Sequence, residues 1–121
     1  MREIKYKAYD PITKKVRDVA SIDFDTHEIT LKGNPWNDIK SFNDVEVMEY
    51  TGVTDCLGNE IYEGCLVKSE RSNNVYPVVF FKGAFMVDYG GFYESVDEKF
   101  ASRCKVIGDI YTENKPDILY K

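Results

Sequence analysis

Short runs in which apolar and polar residues alternate restrict this chain to a β-rich fold. In "EIKYKAY", near the N-terminus, Ile4, Tyr6 and Ala8 alternate with Lys5 and Lys7. Because successive side chains of a strand point to opposite faces, this spacing predicts a half-buried strand. Similar runs recur at intervals of about ten residues with turn residues between them, as in small barrels and sandwiches. The sequence therefore predicts a mainly β fold.

Hairpin signals support this class. "YPVVFF" and "AFMVDY" flank Lys82 and Gly83, which have the spacing of a two-residue hairpin turn. Both faces of "YPVVFF" are apolar, so we expect a strand at the centre of a sheet, although Pro77 restricts pairing near its start. A second hairpin is predicted at the N-terminus, with Asp10 at the start of its turn. Gly108 in "KVIGDIY" indicates a bulge or a close backbone approach.

Two segments are candidates for short helices. In "GNPWNDIKSFND", Asn34 could cap a helix with Pro35 at its first position, so one or two helical turns and a plain loop both fit. In "ESVDEKFASR", Ser95 and Glu98 have the spacing of a capping box. We therefore expect one or two short helices in a mainly β protein.

The length of 121 residues is about that of one ordinary domain. The loop around Gly33 to Asp44 is the only reasonable internal boundary. We predict an N-terminal β-rich section over residues 1–44, made of a hairpin or meander and this loop. A second β section over residues 45–121 would pack against it to form one compact unit.

The charge balance bears on possible partners. Acidic residues outnumber Lys and Arg by 21 to 16, which gives a net charge of −5. Binding to phosphate backbones depends on concentrated positive charge, so generic nucleic-acid binding is disfavoured. The longest basic cluster is Lys14, Lys15 and Arg17, which is too short for an electrostatic footprint.

Cysteine usage and hydropathy indicate the compartment. Cys56, Cys65 and Cys104 form an odd set with no short spacing, which argues against a secreted disulfide framework. No run approaches the roughly 20 apolar residues of a membrane span, and the charged N-terminus lacks the apolar core of a signal peptide. We expect a cytoplasmic protein with no membrane attachment.

Catalytic and metal-binding patterns are weak. His27 is the only histidine, so a catalytic triad would have to use it, and no nucleophile motif accompanies it. A zinc site from His27 and the three cysteines has the right ligand count but lacks the usual close Cys pairs. We expect no metal, no cofactor and no enzyme activity. Six acids could be imagined as a paired-carboxylate hydrolase, yet spacing places no two together: Asp23, Asp25, Glu28, Asp55, Glu60 and Glu63.

Cys104 is a candidate reactive thiol. It lies between Arg103 and Lys105, whose charge could lower the pKa of the thiol if all three converged. On a strand, however, Cys104 points to the opposite face from both neighbours. The sequence therefore favours an inert cysteine.

The most distinctive stretch is "YTGVTDCLGNEIYEGCLV", which packs turn-formers and acids between two short apolar runs. Asp55 can accept local backbone hydrogen bonds, and Gly58 with Asn59 can adopt positive φ. Gly64 marks a further break before "CLVK". A structural turn is favoured over a ligand site, because these residue types are the usual ones in turns.

Three blocks also carry a family resemblance: "MREIKYKAYD", "VEVMEYTGVTDCLGNEIYEGCLV" and "KVIGDIY". In this order they resemble the characteristic blocks of the YopX family, small phage and prophage proteins mainly of Gram-positive bacteria. The resemblance implies a small SH3-like β-barrel over the middle and C-terminal blocks, with an N-terminal β-meander beside it, and association into oligomers. It supplies no catalytic or binding residues. The motif residues of unknown role are Thr51, Gly52, Asp55, Gly58, Asn59, Glu63 and Gly64.

Two positions depart from the family pattern. Cys65 stands where an Asp is usual, and Cys56 where a polar or charged residue is usual. A thiol cannot replace a carboxylate as a ligand of hard cations, so the resemblance gives no support for Mg²⁺ or Ca²⁺ binding at Cys65.

Three functional hypotheses follow. The first is an uncharacterised phage or prophage accessory protein that forms homo-oligomers and acts, without catalysis, as a protein-binding or assembly module for a host or phage protein. The alternative is single-stranded or structured nucleic-acid binding in phage replication, which a barrel with exposed aromatic residues could support. A metal-dependent hydrolase ranks last.

Overall fold

The structure is a computed structural model that describes residues 3–112. This part of the chain forms antiparallel strands, one 3₁₀ turn and one short helix. The elements are β1 (Tyr6–Asp10), β2 (Lys15–Asp23), β3 (Glu28–Leu31), β4 (Asp38–Ser41), a 3₁₀ turn (Phe42–Asp44), β5 (Glu46–Thr54), β6 (Glu60–Tyr62), β7 (Cys65–Ser69), β8 (Val75–Phe81), β9 (Ala84–Asp88), β10 (Tyr93–Ser95), α1 (Glu98–Ala101) and β11 (Cys104–Asp109).

The first sheet has six strands in the order β4-β3-β2-β1-β5-β6. The predicted N-terminal hairpin is confirmed, with Asp10 opposite Lys15 at its end. The Asp10 carboxylate is buried and accepts a hydrogen bond from the Ile12 backbone N–H at 3.0 Å, which closes the turn. Ile29 and Leu31 are fully buried on alternate positions of β3, because the period of two places both on the inner face.

The second sheet has five strands in the order β10-β9-β8-β7-β11. The central strand predicted from "YPVVFF" is confirmed as β8, which has a neighbour on each side. Lys82 and Gly83 form the predicted two-residue turn, with φ of 50° and 83°, the left-handed values that primed hairpin turns require. At Gly108, where the sequence predicts a bulge or a close backbone approach, the β11–β7 register shifts between Val106 and Gly108.

Two clusters of buried hydrophobic residues stabilise the fold. The smaller lies in the first sheet and contains Ala8, Ile29, Leu31 and Val45. The larger packs the second sheet against β5, β6 and α1, so it joins the two sheets. Its buried members are Met48, Tyr50, Ile61, Tyr62, Cys65, Val67, Val78, Phe85, Val87, Val96, Phe100, Ala101 and Cys104.

The small SH3-like barrel expected from the family resemblance is not confirmed. The strands of residues 3–112 form two antiparallel sheets and no closed barrel. The reason lies at β11, whose outer side bonds to a turn instead of a strand: the Cys56 N–H donates to the Cys104 carbonyl at 3.1 Å. The coarser prediction, a mainly β protein, is confirmed.

The helix predictions were correct in number but imprecise in position. α1 lies in the predicted segment, but Asp97 caps it, with its carboxylate accepting from the Phe100 N–H at 2.8 Å. The expected cap, Ser95, instead ends β10. In the loop after Gly33, the chain forms β4 and then a single 3₁₀ turn capped by Ser41.

The proposed boundary at residue 44 stays a prediction. β5 follows this boundary in sequence and pairs with β1, so the first sheet contains strands from both sections. Within residues 3–112, none of the helical segments has the length and apolar character needed to span a membrane.

Candidate functional site

The motif loop (residues 51–64) connects the two sheets. It runs from the end of β5 through a turn at residues 55–59 and through β6 to Gly64, directly before β7. The β5–β6 register shifts between Tyr50 and Thr54, and Gly52 within this irregularity has φ of +96°. The buried Thr51 hydroxyl donates to the Ile61 carbonyl at 2.7 Å, which holds β5 and β6 together across the irregularity.

Asp55 fastens this loop to the far end of the chain. One carboxylate oxygen accepts from the backbone N–H groups of Leu57 and Asn59 at 2.9 and 2.8 Å. The other accepts from the Val106 N–H at 2.8 Å and from the Asn59 side chain at 3.3 Å. A carboxylate has about four acceptor positions, so all of them are in use.

The electrostatics of Asp55 follow from these bonds. Asp55 is only 5% exposed, and burial by itself raises the pKa of its carboxyl group. The backbone donors of Val106, Asn59 and Leu57 act in the opposite direction and prevail, so the pKa lies below its ordinary value. Asp55 is therefore a charged structural anchor.

Other motif residues also form hydrogen bonds through their backbone groups. The Gly58 N–H donates to the Asp55 carbonyl at 3.0 Å, and the Asn59 carbonyl accepts from the Asp55 N–H at 2.8 Å, which closes the turn. The Glu63 N–H donates to the Glu49 carbonyl at 2.9 Å. Burial, followed by the charge of Glu49, raises the pKa of the Glu63 carboxyl group.

Gly64 lies where the chain passes between the sheets. Its N–H donates to the Val78 carbonyl at 2.8 Å, and its carbonyl accepts from the Ile110 N–H at 2.9 Å. Its φ is +90°, and an added Cβ would lie 3.1 Å from the Tyr111 ring. Only glycine meets both conditions without strain.

A cleft of about 470 Å³ lies beside the motif loop, between the end of β5 and α1. The Ser102 hydroxyl at its edge donates to the Lys99 carbonyl at 2.8 Å. His27 does not line the cleft and occupies the exposed β2–β3 turn, with φ of +61°. The cleft is lined by Tyr50, Gly52, Val53, Thr54, Asp55, Cys56, Glu98 and Ser102.

The candidate acids do not come together as one site. Asp23, Asp25 and Glu28 lie at the β2–β3 turn, where Asp23 accepts from the Asp25 N–H at 2.9 Å. Glu60 lies at the start of β6 in an ion pair with Lys5. Among residues 3–112, no group of three or more His, Cys, Asp or Glu side chains could hold a metal ion.

The Lys5 and Glu60 pair belongs to a cluster with Tyr50 and Tyr62 that the sequence pattern does not predict. The Tyr62 hydroxyl donates to Glu60 at 3.0 Å, and the Lys5 ammonium lies 5.3 Å from the centre of the Tyr50 ring. Burial raises the pKa of the Tyr62 hydroxyl, and its bond to Glu60 adds to this effect. Lys5 and Glu60 are 55 positions apart, so no local signal could have joined them.

The three cysteines differ in environment. Cys104 is fully buried and its thiol donates to the Ala101 carbonyl at 3.6 Å, and burial raises its pKa to about 12. Cys65 is also buried, which raises the pKa of its thiol. Cys56 is exposed at the cleft. Because the thiolate is the reactive form, the two buried cysteines are poor nucleophiles.

We expect a thiol-reactive probe to modify Cys56 rapidly in the native protein, and Cys65 and Cys104 at least about a hundredfold more slowly, because those two require local opening and carry raised pKa values. Mass spectrometry of peptides from timed labelling would measure the three rates. Denatured protein is the control, in which the three rates should converge. Equal rates in the native protein would contradict the burial of Cys65 and Cys104.

These features define the chain first as a small, two-sheet β protein whose sheets are joined through a motif loop. A family model described as "YopX protein" matches residues 5–119, so the chain belongs to the YopX family. A comparison with curated proteins found no match. Among solved structures, the crystal structure of protein EF1440 from Enterococcus faecalis is similar, with a TM-score of 0.66 and 20% identity. That match covers 92% of this chain and 95% of EF1440, and at this identity it supports the fold alone.

Proposed function

We propose that this YopX-family protein is a phage or prophage accessory protein that acts without catalysis, as a protein-binding and assembly module. Its most distinctive loop supports this proposal, because all acceptor positions of the Asp55 carboxylate are used within the same chain, by three backbone N–H groups and the Asn59 side chain. Binding would then depend on the surface that the sheets present.

The observation that carries the proposal is an apolar surface on the second sheet, which we call the outer face. The strand register places Val79, Phe81, Met86 and Tyr93 on the side opposite the core residue Val78. Tyr93 is 39% exposed, and its ring stacks on that of Phe81 with centroids 4.2 Å apart. Val79, Phe81 and Met86 are half-buried, so with Tyr93 they form a contiguous, partly exposed apolar surface, and such surface marks interaction sites in soluble proteins.

The edge strand beside this surface can accept a partner strand. The Tyr89 N–H bonds to the Phe92 carbonyl at 2.7 Å, and the Val96 N–H bonds to the Phe85 carbonyl at 3.0 Å. Because bonding directions alternate along an antiparallel strand, Tyr93 directs its backbone groups away from β9. β10 is an edge in the described sheet. The partner would be an extended protein segment whose alternate apolar side chains lie over the outer face.

Tyr93→Asp tests this proposal, since it places a charge on the outer face. The wild-type protein would be used to retain a binding protein from phage-infected cells, and that protein would be purified and titrated against each variant. We expect Tyr93→Asp to raise the dissociation constant by at least about tenfold, a typical loss for a central interface aromatic.

Phe92→Asp is the matched control. Phe92 is adjacent in sequence and 78% exposed, but it directs its side chain to the opposite side of the sheet. We expect it to bind the partner as the wild type does. Equal affinity of Tyr93→Asp and wild type, or failure of the wild type to bind any protein specifically, would overturn the proposal.

A further inference from the structure

Among the strands of residues 3–112, β4 is the last of the first sheet, and its outer edge has a distinctive charge pattern. β4 pairs with β3 so that Lys40 lies opposite Ile29 and Asp38 opposite Leu31. The Phe42 N–H continues this ladder with a 3.0 Å bond to the His27 carbonyl. Because bonded and non-bonded positions alternate, Asp38 and Lys40 bond inward and Ile39 directs its N–H and carbonyl outward.

We propose that this edge binds a second copy of the chain, with β4 of one copy antiparallel to β4 of the other and Ile39 opposite Ile39. The inference rests on the proposed assembly function and specifies its interface. Each Ile39 would donate its N–H to the carbonyl of Ile39 in the second copy. Asp38 of each copy would then lie directly opposite Lys40 of the other, which gives two opposite-charge pairs related by a two-fold axis.

Other registers are unfavourable for physical reasons. A shift by one residue would place outward-directed backbone groups opposite inward-directed ones, so no ladder could form. A shift by two in one direction places Asp38 opposite Asp38, and in the other direction Lys40 opposite Lys40. Like charges directly opposite each other are destabilising. Of these three registers that allow backbone pairing, only the one with Ile39 opposite Ile39 therefore places opposite charges together.

The surroundings of β4 favour the same arrangement. Ile39 is 66% exposed and Trp36 is 79% exposed, so apolar surface lies along this edge. The proposed register carries Trp36 toward Phe42 of the second copy, where the Phe42 ring stacks on Phe24 with centroids 6.1 Å apart. Pairing would therefore cover aromatic and aliphatic side chains as well as backbone groups.

The charges behind the edge are also compatible with pairing. Asp38 accepts from Arg17 at 2.7 Å, and the Lys40 ammonium lies 3.8 Å from a buried oxygen of Asp10. In the dimer, the charged side chains would form a row across the interface: Arg17 and Asp38 of one copy, followed by Lys40 and Asp10 of the other. The row alternates in sign along its whole length, so pairing places no like charges next to each other.

Charge-reversal variants test the register directly. Asp38→Lys places two lysines opposite each other in a self-pair, and Lys40→Asp places two aspartates opposite each other. We expect each variant alone to dissociate with a constant at least about tenfold above that of the wild type. In an equimolar mixture, the lysines of one variant face the aspartates of the other, so we expect mixed dimers with an affinity close to that of the wild type.

Sedimentation velocity over a range of concentrations would measure self-association, and circular dichroism would verify that each variant folds. The mixture uses the same two chains as the single-variant samples, so loss of the Asp38–Arg17 or Lys40–Asp10 contact cannot explain recovery. Ile39→Pro removes the outward N–H without removing a bond to β3, and we expect it to prevent pairing. A monomeric wild type, or a mixture no more associated than its components, would overturn the inference.

The same samples separate this inference from the partner-binding proposal. Tyr93→Asp lies on the second sheet, so we expect it to self-associate as the wild type does, even though it loses the protein partner. Conversely, Ile39→Pro is expected to bind the partner of the outer face as a monomer. If Tyr93→Asp alone abolished self-association, the interface would lie at β10 and the β4 assignment would be wrong.

Discussion

Asp55→Ala is expected to lower the free energy of unfolding by about 3–5 kcal/mol. The substitution removes a buried carboxylate that accepts four hydrogen bonds and leaves the turn N–H groups of Leu57 and Asn59 and the Val106 N–H without their acceptor. A hydrogen bond to a charged group contributes about 1.5–3 kcal/mol, and the N–H groups of the exposed turn recover part of this by bonding to water. Urea denaturation followed by circular dichroism would measure the loss.

Asp25→Ala is the control for this measurement, because Asp25 is exposed in the β2–β3 turn and its removal should change stability by less than about 0.5 kcal/mol. Asp55→Asn keeps one acceptor oxygen and loses the charge, so we expect an intermediate loss. A loss for Asp55→Ala no larger than that for Asp25→Ala would show that Asp55 does not anchor the motif loop.

The pKa of Asp55 gives the same prediction a pH dependence. The folded pKa lies below the ordinary value of 3.8, so the unfolded chain takes up the proton first as the pH falls. The stabilisation by Asp55 is therefore fully present above 3.8 and is lost as the pH falls through the folded pKa. We expect the stability difference between wild type and Asp55→Asn to shrink below pH 3.8 and to be constant near neutral pH.

Gly64→Ala is expected to have the next largest effect, a loss of about 2–3 kcal/mol in the free energy of unfolding. Its positive φ is costly for any residue with a Cβ, and the new methyl group would lie 3.1 Å from the Tyr111 ring and 3.5 Å from the Met48 side chain. Thermal and urea denaturation would both detect a change of this size.

Gly58→Ala separates the two causes. Gly58 has φ of +85°, close to the +90° of Gly64, but an added Cβ would contact nothing within 4 Å. We expect this control to lose only about 1–2 kcal/mol, the cost of the backbone conformation. If the two variants lost equal stability, packing against Tyr111 and Met48 would contribute nothing.

Several local features were predictable from neighbouring residues. The alternation of Tyr6 and Ala8 with lysines indicated a half-buried strand, and the structure forms β1 there with Ala8 fully buried. Lys82 and Gly83 identified their hairpin by their two-residue spacing between apolar runs, and both have positive φ in the structure, as a type I′ turn requires. Such signals depend on contacts between residues a few positions apart.

The turn of the motif loop was predictable from the sequence, but the bond that joins this turn to a distant strand was not. Turn chemistry at Asp55 and Gly58 indicated a tight turn, and Asp55 does accept bonds from the backbone of that turn. Its bond to Val106 crosses 51 positions, and no local pattern specifies which distant N–H will reach a carboxylate. The cap of α1 was predicted at Ser95 but lies at Asp97. Both residue types can cap a helix, and Asp97 is the cap because Ser95 pairs in β10.

The amino-acid sequence by itself determined the β class, the main hairpins, the bulge at Gly108 and the YopX family. Only the tertiary structure decided that β5 pairs with β1, that the strands of residues 3–112 form two open sheets, and that β4 and β10 lie at the edges of these sheets. The physical reason is the range of the interactions. Side-chain alternation and turn geometry act over two to four residues, whereas strand order depends on how distant apolar faces bury one another.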